Sequence, residues 1–228
     1  MIISIHQPNY IPWLGYFSKI NKSDIFVFLD DVQYEKGGVT NKNKILMSNG
    51  ETINLVVPVS ISKGYQQKIN EIEIIYQEKW QHKHLSTVKN NYSRAKYFET
   101  YFESYAEIVK AKYLNIADFN KKLILWICAE LEIDTKIFTA SEMDGIKSTK
   151  NQRNIDIVKL LNGSKYLSGI GAKSYNDETA FNSEGISLEY HEYNPVSYRQ
   201  LYSNKFIPNL SAIDALFNVG KQTIELLK

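Results

Sequence analysis

The first thirty residues constrain the fold more than any other segment, because two apolar runs flank one polar loop and one short amphipathic stretch. Residues 2–5 form a β-branched run, and residues 24–29 form the apolar run Asp-Ile-Phe-Val-Phe-Leu, which indicates a buried strand. Residues 12–20 are compatible with a short helix between them. A strand, loop, helix and strand in this order are typical of α/β proteins with parallel strands, which bind ligands at the carboxyl ends of those strands.

Composition excludes several classes of protein. The 228 residues are 43% hydrophobic, enough for a large core, and a formal net charge of +2 gives no electrostatic case for a nucleic-acid partner. We find no transmembrane run and no charged leader before an apolar stretch at the amino terminus. The lone cysteine, Cys128, lies in an apolar run, where a thiol is typically buried. We therefore expect a cytoplasmic protein whose oligomeric state is open.

The rest of the chain alternates strand and helix patterns without repeats or low-complexity linkers, which favours one domain over residues 1–228. We predict an α/β fold with a mixed, mostly parallel sheet covered by helices. Its helical segment covers about 78–132, where aromatic residues recur at three- and four-residue steps that are typical of a buried helical face. The expected strands are residues 52–59, 69–75, 135–139 and 186–193, and the other helices are residues 152–161 and 211–227. The latter begins with a capping-box pattern from Ser211 to Asp214.

The loop after the first strand carries the densest group of polar side chains. Prolines 8 and 12 restrict its backbone, and His6 has the side chain whose ordinary pKa lies nearest neutrality. We predict His6 as a general base and the loop as a ligand site; the alternative is a proline-braced turn whose aromatic rings pack beneath the sheet. The loop residues expected to bind substrate are Gln7, Asn9, Tyr10 and Trp13.

A second polar group follows the second strand. Asp30 and Asp31 could orient an imidazole, bind an amine or hold a cation, and because adjacent side chains point to opposite faces, one of them is expected to meet His6. Beyond them lie amides and an ammonium group suited to a phosphate or carboxylate, or to a solvated basic turn. These candidate binding residues are Gln33, Asn41, Lys42 and Asn43.

A third group, residues 166–175, contains two glycines whose backbone amides could bind an anion at the start of a helix. It lacks the third glycine of a dinucleotide-binding fingerprint, so no cofactor is identified. No paired cysteines suggest a zinc site, and His82 and His84 stand two apart on a predicted helix, facing different directions, so we predict no metal site. The candidate substrate-binding residues of this group are Ser168, Gly169, Gly171 and Tyr175.

Together these motifs resemble the WbqC-like protein family over nearly the whole chain. The blocks that carry the likeness are His6–Phe17, Asp30–Tyr34, Tyr166–Ala172 and Phe206–Asp214. The resemblance implies a role in bacterial surface-polysaccharide assembly, because such proteins are encoded among O-antigen and capsule genes. It does not identify a catalytic residue. Lys42 stands where we expect arginine in this family, which removes the planar fork suited to a carboxylate or phosphate.

A more distant likeness concerns the opening fold, which resembles the nucleotidyltransferase-like enzymes that form adenylates. Their His-x-Gly-His signature is replaced here by Trp13-Leu14-Gly15-Tyr16, so both histidines are missing. A shared fold is implied, whereas ATP chemistry is not.

These patterns support three functional hypotheses. The leading one is a transferase that attaches an acyl or aminoacyl group, such as glycine, to the amino group of a sugar-nucleotide. His6 would take the proton, Asp30 and Asp31 would act at the amine, and the substrate would be a small molecule. The alternatives are a nucleotidyl- or adenylyl-transfer enzyme and a non-catalytic accessory protein that binds a sugar-nucleotide.

Overall fold

A computed structural model describes residues 1–62, 64, 66–77 and 79–228. Five parallel strands form its central sheet, and two antiparallel pairs, β3 with β4 and β5 with β6, lie outside it. The central strands stand in the spatial order β7, β2, β1, β8, β9. In chain order the strands are β1 (Ile2–His6), β2 (Ile25–Phe28), β3 (Lys42–Leu46), β4 (Thr52–Val56), β5 (Val59–Ser60), β6 (Glu73–Ile74), β7 (Lys136–Thr139), β8 (Lys165–Gly169) and β9 (Ser187–His191).

Helices cover both faces of this sheet. Those of the longest intervening segment, α2 to α4, occupy the region where the aromatic repeat predicts helices. In chain order the helices are α1 (Leu14–Asn21), α2 (Trp80–Tyr92), α3 (Phe98–Lys110), α4 (Ile116–Glu130), α5 (Lys150–Leu160), α6 (Glu178–Ser183) and α7 (Ala212–Val219). The predicted α/β class is therefore confirmed, with a central sheet that is parallel throughout its five strands.

Strand β2 shows why both faces of the sheet need cover. Its four residues are all buried, and alternate side chains point to opposite faces. Phe26 and Phe28 join the larger core, which includes α1, α3, α4 and α7, whereas Ile25 and Val27 join a smaller core with α5 and α6. A strand that is apolar on every residue can bury all of them only when helices pack on both sides.

Two expectations about local structure are wrong. Residues 69–75 form a 3-10 turn, Ile69–Glu71, before the two-residue strand β6. The amides of Ile69 and Asn70 donate to the carbonyls of Val32 and Asp30, and these bonds to the segment after β2 replace a regular strand ladder.

The carboxyl-terminal helix also differs from its prediction. The Ser211 side chain makes no capping hydrogen bond, and the Asp214 carboxylate accepts bonds from Tyr92, Tyr198 and Gln200 instead. Helix α7 ends at Val219, because Gly220 has φ +65° and the chain continues as a 3-10 helix, Gly220–Leu227. The predicted capping box is absent because the Asp214 carboxylate accepts hydrogen bonds from side chains distant in sequence.

The turn between α5 and β8 depends on a glycine that packs against the central strand. A Cβ atom on Gly163 would lie 2.5 Å from Ile3 Cγ1 and 2.9 Å from Val158 Cγ1. Replacement Gly163→Ala should lower the free energy of unfolding by about 2 kcal/mol, because both neighbours are fully buried and must shift. Urea denaturation checks this. The control Gly171→Ala, whose Cβ would meet nothing within 4 Å, should cost less than about 0.5 kcal/mol; equal losses would contradict the steric explanation.

Candidate functional site

The strand order creates a switch point at the centre of the sheet. From β1 the chain proceeds through β2 to β7 on one side, and β8 and β9 then lie on the other side of β1. The β1–β2 ladder continues to His6, whereas the β1–β8 ladder pairs Ile2 with Lys165 and Ile3 with Tyr166. Ligands of parallel α/β proteins bind in the crevice outside the carboxyl ends of strands at this position. We call the carboxyl ends of β1 and β8, with the groups around them, the switch point.

His6 ends β1 at the switch point, as the sequence predicts for a strand-end residue. Its ring is partly exposed and packs edge-on against Tyr16, with 4.8 Å between ring centroids. His6 Nδ1 lies 3.1 Å from the Gln7 carbonyl oxygen, which can only accept, so Nδ1 carries the hydrogen and Nε2 keeps its lone pair. Burial, with the charge of Lys19 adding to it, lowers the pKa of His6 to about 3. The imidazole is therefore uncharged at neutral pH.

Lys19 is a functional candidate that the sequence analysis missed. Its side chain on α1 is 2% exposed, and Nζ donates to the Ile5 carbonyl at 3.2 Å, where β1 has passed the last residue paired with β8. Within the described part of the chain it has no ion pair, and burial lowers its pKa to about 7. An amine that is half deprotonated near neutral pH can move protons. Its position between Phe17 and Ile20 on the apolar face of α1 was the available sequence signal.

A second histidine stands on the far side of the same edge. His191 ends β9, and its Nε2 lies 3.0 Å from Ser18 Oγ, while that hydroxyl donates to the Leu227 carbonyl at 2.7 Å. Since the hydroxyl hydrogen is used there, Nε2 is the donor. Burial, then the charges of Lys22 and Lys19, lower the pKa of His191 to about 4. Both histidines at this edge are thus neutral.

The end of β8 supplies the other wall of the switch point. Ser168 is buried and accepts a hydrogen bond from Asn176 Nδ2 at 3.0 Å, and Tyr175 is 70% exposed. Cβ atoms built on Gly169 or Gly171 would meet nothing within 4 Å. Protein packing therefore does not demand glycine at either position, and the backbone there is open to an approaching molecule.

The two predicted acids diverge and are held by internal partners. Asp30 is buried, and its carboxylate accepts from the backbone amide of Ser141 at 3.1 Å, from the Ser141 hydroxyl at 2.8 Å and from Lys121 at 3.4 Å. Asp31 binds Arg153 on α5, whose Nη2 contacts both carboxylate oxygens. Asp30 thus faces α4 and Asp31 faces α5. The structure places both at the carboxyl edge, each with partners other than His6.

The loop from Gln7 to Trp13 is held by amides from other elements. Ile11 has φ +32°, a left-handed conformation that is costly for a β-branched residue. Asn43 Nδ2 donates to the carbonyl of Ile11 at 2.7 Å and to that of Tyr10 at 3.2 Å, so this amide stabilises the strained turn. Asn120, a residue not singled out by sequence, donates to the carbonyls of Pro8 and Thr40.

Several predicted binding residues therefore lie away from the switch point. Tyr10 is fully buried, with its hydroxyl 3.0 Å from His84 Nε2, and Asn9 is also buried. Trp13 packs on Gly15 and meets Tyr193 edge-on, with 5.4 Å between ring centroids.

The remaining predicted binding residues belong to the segment after β2 and lie away from the switch point. Asn41 donates to the carbonyl of Val57 at 3.0 Å, and Lys42 is half-buried at the start of β3. Gln33 is exposed and borders a separate cavity of about 190 Å³. Among the predicted binding residues, Gln7 follows the end of β1, Ser168 and Gly169 lie at the end of β8, and Gly171 and Tyr175 follow in the next turns of the chain.

Three further observations concern metal, thiol and membrane chemistry. In the described ranges, no three His, Cys, Asp or Glu side chains gather as metal ligands. Cys128 is buried, and burial raises the pKa of its thiol to about 12. None of the described helices combines the length and apolar character needed to cross a membrane.

Comparison with known proteins identifies a family and a relative. The model of the WbqC-like protein family matches residues 7–226. The uncharacterized protein Rv1507c of Mycobacterium tuberculosis is 32% identical over 228 residues, which cover 99% of this chain and 97% of that protein. No solved structure matches the chain.

The asymmetric roles of two nearby asparagines can be tested by stability. Asn43→Ala removes two donors from buried carbonyls of the strained loop and should lower the free energy of unfolding by about 3 kcal/mol. Asn41→Ala removes one bond, to Val57, and should cost about 1 kcal/mol. Urea denaturation of both variants measures the difference. Equal losses would mean that the Asn43 amide does not stabilise the turn at Ile11.

The lowered pKa of His6 predicts a pH dependence. Its pKa is about 3 in the folded protein and 6.5 in the unfolded chain, so the unfolded chain binds the extra proton between these values. The stabilising contribution is complete above pH 6.5 and is lost toward pH 3, at about 1.4 kcal/mol per pH unit. In NMR spectra of the folded protein, the His6 Cε1 proton resonance should show only the small shift caused by Lys19 gaining its proton near pH 7, with no imidazole titration between pH 8 and 5, and it should titrate near 6.5 in urea. A folded-state midpoint near 6.5 would refute this.

Proposed function

Because the chain belongs to the WbqC-like protein family, we propose that it is an enzyme of bacterial surface-polysaccharide biosynthesis, acting in O-antigen or capsule assembly. The proposed reaction transfers an acyl or aminoacyl group, for example glycine, to the amino group of a sugar-nucleotide. The observation that carries this proposal is that two groups lie at the carboxyl end of β1: the uncharged imidazole of His6, and Lys19, whose Nζ donates to the Ile5 carbonyl and whose pKa is about 7. An uncharged imidazole and a partly deprotonated lysine can accept a proton or a hydrogen bond from an amine that attacks an acyl group.

Substrate binding in this proposal uses the open side of the switch point. Gly169 and Gly171 let the backbone approach the sugar-nucleotide closely, and the exposed ring of Tyr175 provides a surface for the base or sugar. Arg153 supports phosphate binding at the neighbouring end of β2, since its buried Nε has no hydrogen-bond partner among the described residues. Ser168 and Gln7 complete the polar lining.

The chemical step follows from the pKa values. Burial and the nearby cation that keep His6 neutral also disfavour an ammonium form of the substrate, so the amine enters uncharged. Its nitrogen attacks the acyl carbonyl carbon, a C–N bond forms, and the bond to the donor's leaving group breaks with the electron pair leaving on that group. Lys19 Nζ in its neutral form takes the amine proton, while His6 Nε2 accepts a hydrogen bond that orients the nitrogen.

The acids take a positioning role in this mechanism. Asp30 fixes the turn at Ser141, and Asp31 holds Arg153 beside the end of β2. Both carboxylates are already neutralised by cations, so they support the phosphate-binding side of the site and leave the proton transfer to Lys19 and His6.

Adenylyl or nucleotidyl transfer is the second candidate. The observation that favours it is the order β7, β2, β1, β8, β9, a parallel sheet with a central switch point of the kind that binds nucleotides. ATP and magnesium should then release pyrophosphate when the acceptor is present. Transfer without ATP would favour the acyltransferase instead.

The proposal is tested with purified protein, amino-sugar nucleotides and glycyl or acetyl thioesters, and adducts are detected by mass spectrometry. We expect transfer by the wild type, with a rate that rises as pH passes through about 7 because Lys19 loses its proton. Lys19→Met should reduce the rate at least about 100-fold, and His6→Gln should also reduce it. Lys122→Met is the control, because Lys122 is exposed, and this substitution should leave the rate unchanged.

The absence of any adduct with the wild type would reject the transferase function. Equal rates in Lys19→Met and Lys122→Met would exclude Lys19 as the base. Nucleotide binding without any turnover, retained in His6→Gln, would identify an accessory binding protein.

A further inference from the structure

A groove of about 540 Å³ lies between α2 and α3, away from the switch point. Its volume falls within the range of about 300–1,000 Å³ that small-molecule sites occupy. None of the residues that form the switch point lines it. The proposed transfer reaction therefore makes no use of this groove.

Internal hydrogen bonds fix the spacing of the two helices that form the groove. On the buried side, His84 of α2 bonds the hydroxyl of Tyr105 on α3. At one end, Gln81 Nε2 donates to the carbonyls of Val109 at 2.8 Å, Lys110 at 3.0 Å and Ala111 at 3.1 Å. These bonds hold α2 at the carboxyl end of α3, so the groove is already formed without a ligand.

The surface of the groove is apolar. Leu85 projects from α2, and Phe102 and Ala106 lie one turn apart on α3. Phe102 is a half-buried exception in the aromatic stripe that sequence assigns to the core, and its ring stacks on Phe98 with 4.4 Å between centroids. Tyr76 closes the apolar lining. An apolar chain or ring would thus displace water from hydrocarbon and aromatic surface.

The rim of the groove is basic. Lys79, Lys89 and Lys110 line it, together with His82, and no acid stands among its described lining residues. The α3 glutamates Glu99, Glu103 and Glu107 are exposed but do not line the groove. Three exposed ammonium groups around an apolar floor leave positive charge that an anionic group can meet.

We propose that this groove is a binding site for a soluble amphiphilic anion: one apolar chain or ring system bearing a single phosphate or carboxylate. The apolar part lies on Leu85, Phe102 and Ala106, and the head group binds at the lysine rim. Charge complementarity and the pre-formed apolar floor together select this class over neutral lipids and over free phosphate.

The test uses octyl phosphate, butyl phosphate, 1-octanol and inorganic phosphate as probes in isothermal titration calorimetry with the full chain. Octyl phosphate should bind at least tenfold more tightly than 1-octanol or inorganic phosphate. Affinity should rise about two- to fourfold for each methylene between the butyl and octyl compounds. This dependence on chain length tests the apolar floor without any substitution that could disturb folding.

Lysine variants on both helices test the basic rim, with a matched control lysine on α2. Lys89→Ala and Lys110→Ala each remove an exposed ammonium group and should weaken octyl phosphate binding about threefold. Lys83→Ala, an exposed lysine of α2 that does not line the groove, should leave the affinity unchanged.

Four results would overturn the proposal. These are no binding of octyl phosphate, equal affinity for 1-octanol, equal affinities of the Lys89 and Lys83 variants, and chain length without effect. Equally tight binding of the protein to phosphatidylglycerol vesicles, lost in Lys89→Ala, would identify the groove as a membrane-docking surface instead. Transfer activity is not measured in this experiment, so its outcome is independent of the proposed enzymatic function.

Discussion

The rest of the structure depends on one constraint: the backbone carbonyls of the buried loop after β1 must each find a hydrogen-bond donor. The loop leaves the centre of the sheet, and its residues 8–12 are buried, where an unpaired carbonyl is costly. Each donor comes from a different element: Tyr16 of α1 to Gln7, Asn120 of α4 to Pro8, and Asn43 of β3 to Tyr10 and Ile11. The polar loop thus joins the sheet, the antiparallel pair and the helical layer.

Burial also accounts for the shifted pKa values at the switch point. Burial lowers the pKa of Lys19, His6 and His191 together, so the carboxyl edge beside β1 carries little positive charge despite three basic side chains. The acids at the end of β2 are held by Ser141, Lys121 and Arg153. One edge of the sheet therefore contains a weakly charged half and an ion-paired half.

Sequence predicts those features that depend on neighbouring residues and misses those that depend on distant partners. The apolar run in β2 and the position of His6 at a strand end follow from local patterns, and the structure has both. Asn43 is suggested by sequence as a ligand group, but its partners lie 32 and 33 residues away. The residue type of Lys19 predicts solvent exposure, because lysine is ordinarily solvated, and its position on the apolar face of α1 is the one local sign of its burial. The prediction of a cap at Ser211 is wrong for the same reason, since Tyr92 and Tyr198 donate hydrogen bonds to the Asp214 carboxylate.

Tyr10 links the helical pair α2 and α3 to the strained turn of the loop after β1. Its hydroxyl meets His84 between α2 and α3, while its carbonyl is held by Asn43, so one rigid ring spans the distance from the helical pair to the strained turn. A change in the separation of the two helices would move this ring, because Tyr10 is fully buried and close-packed interiors transmit displacements. The turn at Ile11 would move with it, because the Asn43 amide that holds the Tyr10 carbonyl also holds that of Ile11.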